Sequence, residues 1–175
     1  MSSGTNNRIA VAGRRLQWLV RLIMIVGVAA LGWNLVARGP LGLLGVPQGI
    51  PVVYGNLDYR QAISVVALGL VMPGAYLVVF AYLHRLCGLY ACGLVFSEQN
   101  TATIRQVGYA LMAIDLMNLL VSSLTGPLLT LLGVTTGFIT VNVQLAMLTV
   151  GLFVVLISRV MDAARELHEN DQLTI

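Results

Sequence analysis

Four long apolar runs set the pattern of the chain, at residues 16–37, 61–83, 104–124 and 138–161. Each is interrupted by few charges and is long enough to be read as a helix. The first run holds 22 residues. At about 1.5 Å per residue a helix of that length reaches about 33 Å, enough for a hydrocarbon core of about 30 Å. The pattern predicts an all-α integral membrane protein, a bundle of four transmembrane helices, with a short helical loop between the second and third spans and a helical extension after the fourth.

The polar stretches between the runs refine this. Residues 1–13 are small and polar and predict a disordered tail. Trp18 and Trp33 stand near the two ends of the first run, where interfacial anchors belong, and Arg21 lies close enough to its start to snorkel out. Arg14 and Arg15 before an apolar run also suit a signal peptide. The run is too long for that, and no A-x-A cleavage site follows it, so a retained helix is the reading adopted. Residues 38–60 hold Pro40, Pro47 and Pro51 among scattered glycines, which excludes a long helix. This loop is apolar enough to fold back onto the membrane surface, with Tyr54 and Tyr59 at the interface.

In the second run Pro73-Gly74 predicts a kink that serves packing, a hinge being the lesser alternative. Ser97 reads as the N-cap of the third helix, with Glu98 in its first turn. The uncharged stretch after residue 124 is either a tight turn or an extension of the third helix that stops near Gly133. Residues 162–175 form a polar helix end.

Composition changes the picture in two ways. The chain is 58% hydrophobic and 10% charged, with mean hydropathy +0.87, so one membrane domain fills its 175 residues and lipid is its expected solvent. All ten basic residues are Arg. Without Lys there is no Schiff-base chemistry, no lysine-activated serine and no P-loop lysine. No dense basic patch points to direct nucleic-acid binding.

The arginines also predict orientation. Arg8, Arg14, Arg15, Arg21, Arg85, Arg105, Arg159 and Arg165 flank one side, against Arg38 and Arg60 on the other. This asymmetry puts both termini and the middle loop in the cytoplasm. Cys87 and Cys92 then face a reducing compartment, where a structural disulfide is not expected.

Asp115 is the most informative residue. It lies near the middle of the third run, where an ionised carboxylate costs several kcal/mol unless it is paired, hydrated or protonated. Asn118, Ser122 and Thr125 share its helix face, and Gly108 continues the stripe as a gap. Such a stripe either fixes the helices by hydrogen bonds or lines an ion, proton or ligand path. Candidate partners are Asn34, Ser64, Tyr76, Asn142 and Gln144. His84, Cys87 and Cys92 have ligand chemistry, but no fourth ligand is near in sequence, and Cys92 falls on a different helix face from Cys87. No nucleophile stands beside a His base, and a carboxylate pair would need a second intramembrane acid. No catalytic residue, metal site or cofactor is expected.

Two motifs carry a resemblance. Gly93-Leu94-Val95-Phe96-Ser97-Glu98-Gln99-Asn100 precedes the Arg105-bearing helix start, and the chain closes on Glu169-Asn170-Asp171-Gln172-Leu173-Thr174-Ile175. In both, and in their order, the chain resembles the small bacterial four-helix membrane proteins catalogued as domain of unknown function 2975. It departs from them at Gln172, where relatives more often read D-L-T-I, and in lacking lysines. The family has no assigned activity, so no catalytic residue carries over. Its members often neighbour small helix-turn-helix regulators. The resemblance thus implies a non-enzymatic sensor or interaction module of the bacterial inner membrane that works with a cytoplasmic regulator. Gly93, Phe96, Ser97, Asn100 and Arg105 would form its loop motif, and Glu169, Asp171, Leu173, Thr174 and Ile175 its tail motif. Phe96 would pack the loop under the bundle, as a hydrophobic staple does. The alternative is a small homo-oligomeric transporter or pore built on the Asp115 stripe.

Overall fold

A computed structural model describes residues 3–44, 57–92, 97–135, 139 and 141–172. These form four α-helices: α1 (Ser3–Arg38), α2 (Tyr59–Ala91), α3 (Glu98–Leu131) and α4 (Ala146–Gln172). A 3-10 turn, Pro40–Leu43, follows α1, and no strand occurs among the described residues. All four helices are long and apolar enough to cross a membrane. With α3 at 34 residues, about 50 Å, there is length to spare beyond the hydrocarbon core.

Burial is distributed as lipid solvation requires. Leu152, Phe153, Leu156, Ile157 and Val160 of α4 and Ile25, Val26 and Val36 of α1 are exposed, whereas Asn100, Thr101, Thr103, Asp115, Thr125 and Ser158 are buried. Water would demand the reverse. In lipid, apolar surface costs nothing to expose, and polar groups must turn inward to find partners. The chain is a multi-pass membrane protein.

Its contacts cluster in two units. The first comprises Met1–Met24, Leu77–Ala113 and Ala146–Ile175. Here helices meet through glycines. A Cβ on Gly13 would lie 2.8 Å from the Ala91 backbone nitrogen. A Cβ on Gly108 would lie 2.9 Å from the Gly151 carbonyl, and one on Gly151 only 2.6 Å from the Gly108 carbonyl. Each glycine removes the side chain that would hold two backbones apart, the small-residue packing expected where dispersion drives association.

The second unit comprises Ile25–Tyr76 and Ile114–Leu145. Its core is Val65, Leu129 and Val134, covered by Leu44, Leu57 and Leu132. The end of α3 supplies two of the three. Gly133 has φ +70°, Val134 N–H donates to Leu129 O at 2.9 Å and Gly133 N–H to Thr130 O at 3.0 Å. This is a Schellman closure, with its hydrophobic contact between Val134 and Leu129. Of the two sequence readings of this stretch, the extended helix is the one found. It continues through Pro127, whose missing N–H leaves one backbone acceptor without its helical donor.

Two boundaries differ from the sequence pattern. Residues 3–13 are helical, not disordered. The helix extends N-terminal to Arg14 and Arg15, and Gly13 seats it on the α2 backbone. The fourth helix starts at Ala146 instead of residue 138. Val141, Asn142, Val143, Gln144 and Leu145 alternate apolar with polar, a pattern poorly suited to helix, and the Asn142 N–H and the Gln144 side chain reach α3. Pro73 sits within an unbroken α2. Gly93, Phe96 and Leu173–Ile175 lie outside the described residues, as do residues 45–56 of the first loop.

Candidate functional site

The polar stripe of α3 begins in the second unit at Asp115, which is only 6% exposed. Thr125 is buried on the same face, and its hydroxyl donates to Val121 O at 2.6 Å. Ser123 and Thr130 likewise bond carbonyls four residues back, and Ser122 that of Leu119. This is the standard way for hydroxyls to hide inside an apolar helix surface. Two longer contacts join α3 to the segment before α4: Asn118 Nδ2 to Gln144 Oε1 at 3.5 Å, and Asn142 N–H to Ser122 Oγ at 3.4 Å. Both exceed the usual range of about 2.7–3.2 Å, so they guide the segment more than they lock it.

Of the proposed partners for the stripe, Gln144 meets it through its side chain, while Asn142 meets it through its backbone N–H. Asn34 instead donates to Ala30 O and Ser64 to Arg60 O, each within its own helix. Gly108 falls in the first unit and packs against Gly151 and Val155.

The second cluster, in the first unit, opens α3. Ser97 Oγ accepts from Asn100 N–H at 3.2 Å, the N-cap geometry, and Glu98 occupies the first turn. Asn100 is fully buried, with Thr101 and Thr103 beside it. The threonine hydroxyls donate to Ser97 O and Gln99 O. Arg105 lies 3.8 Å from Asp162 of α4, both about one-third exposed. Within the loop motif, then, Ser97, Asn100 and Arg105 organise a helix start and tie it to α4. Glu169 and Asp171 lie on α4, which carries them as a continuation of the fourth helix.

Sequence reasoning missed two contacts. Gln61 Oε1 accepts from Asp58 N–H at 3.0 Å while its Nε2 donates to the Leu132 carbonyl at 2.6 Å, so one side chain caps α2 and holds the end of α3. The D-x-x-Q spacing is a capping-box signal that was there to be read. Gln17 Nε2 lies 3.3 Å from His84 Nε2. That contact occupies one ring nitrogen of the histidine considered as a metal ligand, and Cys87 is buried while Cys92 is exposed. Among the described residues, no group of three His, Cys, Asp or Glu is placed to hold a metal ion.

A family model described as "Protein of unknown function (DUF2975)" matches residues 12–175. The chain belongs to this family. No curated protein and no solved structure matches it. For this DUF2975 protein the match covers α1 from residue 12 onward, the other three helices and both motifs, so the buried Asn100 cluster and the α3 stripe lie within the family domain.

Proposed function

We propose that this DUF2975 protein is a non-enzymatic interaction module of the bacterial inner membrane, with both termini cytoplasmic, which presents the end of α4 to a soluble partner. The observation that carries the reading is the continuity of α4. It runs unbroken from Ala146 to Gln172, past the end of the apolar run at Met161 and through the polar stretch that follows. A helix that leaves the membrane without a break presents its polar end rigidly, and the Arg105–Asp162 pair braces it beside α3. A partner carrying basic and apolar surface complements Glu166, Leu167, Glu169 and Asp171. A small helix-turn-helix regulator fits that description. The test is photo-crosslinking from residue 166 in intact cells, with residue 153 on the apolar face as control. A soluble protein captured from position 166 alone, and lost on deleting residues 165–175 while insertion persists, supports the reading. Identical crosslinks from both positions sink it.

A second reading is favoured by one observation. Residues 141–145 are non-helical and all exposed, beside Asn118 and Ser122. Irregular backbone at membrane depth is tolerated only against protein or water. A homo-oligomer would supply either, and with it a path along the Asp115 stripe. Proton or ion flux in liposomes that changes with Asp115→Asn supports this reading, and absence of flux under every gradient removes it.

A further inference from the structure

One face of α1 is layered. Val11, Arg14, Arg15, Trp18, Leu19 and Leu22 form one side of an open cleft of about 620 Å³. Their spacing places them on a single helix face. The opposite face is spent on α2: Gly13 rests on Ala91, Gln17 meets His84, and Val20 is buried. The cleft face is left open, with Trp18 71% exposed. From Val11 the face passes to the two guanidinium groups of Arg14 and Arg15, then one turn later to the indole and last to the aliphatic chains of Leu19 and Leu22. The sequence from Arg14 to Leu22 covers about 12 Å. No Asp or Glu precedes Asp58 in the sequence, so α1 carries no carboxylate to neutralise the pair.

We propose that this face is a binding site for an anionic phospholipid. The proposal rests on α1 being a membrane span, not on the partner-docking role of α4. Arg14 and Arg15 hold the phosphodiester, because guanidinium groups match phosphate oxygens through paired, charge-assisted hydrogen bonds. Trp18 stands at the glycerol-ester level, where an amphipathic ring belongs, and one acyl chain lies over Leu19 and Leu22. From Arg14 to Leu22 the polarity gradient of the face is that of the lipid itself. Juxtamembrane arginines gain from anionic lipid even without a shaped site, so what the cleft adds is selectivity and fixed position.

The test uses the full chain with Trp33→Phe, which leaves Trp18 as the sole tryptophan, in phosphatidylcholine nanodiscs. A small, equal fraction of chain-brominated phosphatidylglycerol or phosphatidylcholine is added, and quenching of Trp18 is read. Phosphatidylglycerol is expected to quench several-fold more strongly. Arg14→Gln with Arg15→Gln should bring the ratio near one, while Arg159→Gln leaves it unchanged and added glycerol 3-phosphate does not compete. Equal quenching by the two lipids in the parent protein overturns the site, whatever the folding of the variants. Loss of selectivity in Arg159→Gln overturns it in favour of diffuse surface charge, and competition by glycerol 3-phosphate in favour of a soluble phosphate ligand.

Discussion

Gly151 shows how much a single position decides. Its missing side chain lets the α4 backbone lie on the Gly108 carbonyl and on Met112. Gly151→Val is expected to lower stability by about 1–3 kcal/mol, the usual cost of overpacking, read by denaturation in micelles. Gly27→Ala is the contrasting case, since nothing lies within 4 Å of its added Cβ. It should be neutral or stabilise by up to about 1 kcal/mol through helix propensity. Asp115, buried in the second unit, belongs to the same scale. If the stripe is structural, Asp115→Asn keeps hydrogen-bonding capacity and should unfold later than Asp115→Leu, and equal losses would speak against that role. Asp115 was legible because a carboxylate inside an apolar run is conspicuous. Gly151 was not, because what makes a glycine matter is the backbone opposite, and that comes from another helix.

The elements are held at their ends. Ser97→Ala removes the N-cap of α3 and is expected to cost about 1 kcal/mol. Gln61→Leu removes the bonds to Asp58 and Leu132 together, and should cost at least as much as the loss of Ser97. By contrast, a double-mutant cycle on Arg105 and Asp162 should give a coupling below about 1 kcal/mol, because the pair is partly exposed and 3.8 Å apart. Element ends also explain which boundaries were readable. Ser97 and Gly133 announce themselves by residue type, a hydroxyl cap and a left-handed terminator. The start of α4 is different. Apolar content runs on through residues 138–145, and only the alternation of Val141, Asn142, Val143 and Gln144 marks residues 141–145 as non-helical. At the other end of the chain, residues 3–13 look polar and loose until Gly13 is seen against Ala91.

At the scale of the whole molecule, hydrophobic surface faces outward and polar side chains face inward, the distribution a lipid solvent selects. Four long apolar runs made that legible from composition and run length alone, with no contact known. The pairing of helices was not legible, since the apolar runs are chemically alike and the contacts depend on small residues. The central claim is an even number of crossings, with eight arginines on the cytoplasmic side and two on the other. Single cysteines at Asp58 and Gln172, in a chain with Cys87 and Cys92 replaced by Ser, test it by labelling of spheroplasts with a membrane-impermeant maleimide. Asp58→Cys should be labelled in intact spheroplasts and Gln172→Cys only after lysis. Labelling of Gln172→Cys in intact spheroplasts, or of both positions alike, would contradict the four-crossing, both-ends-inside account.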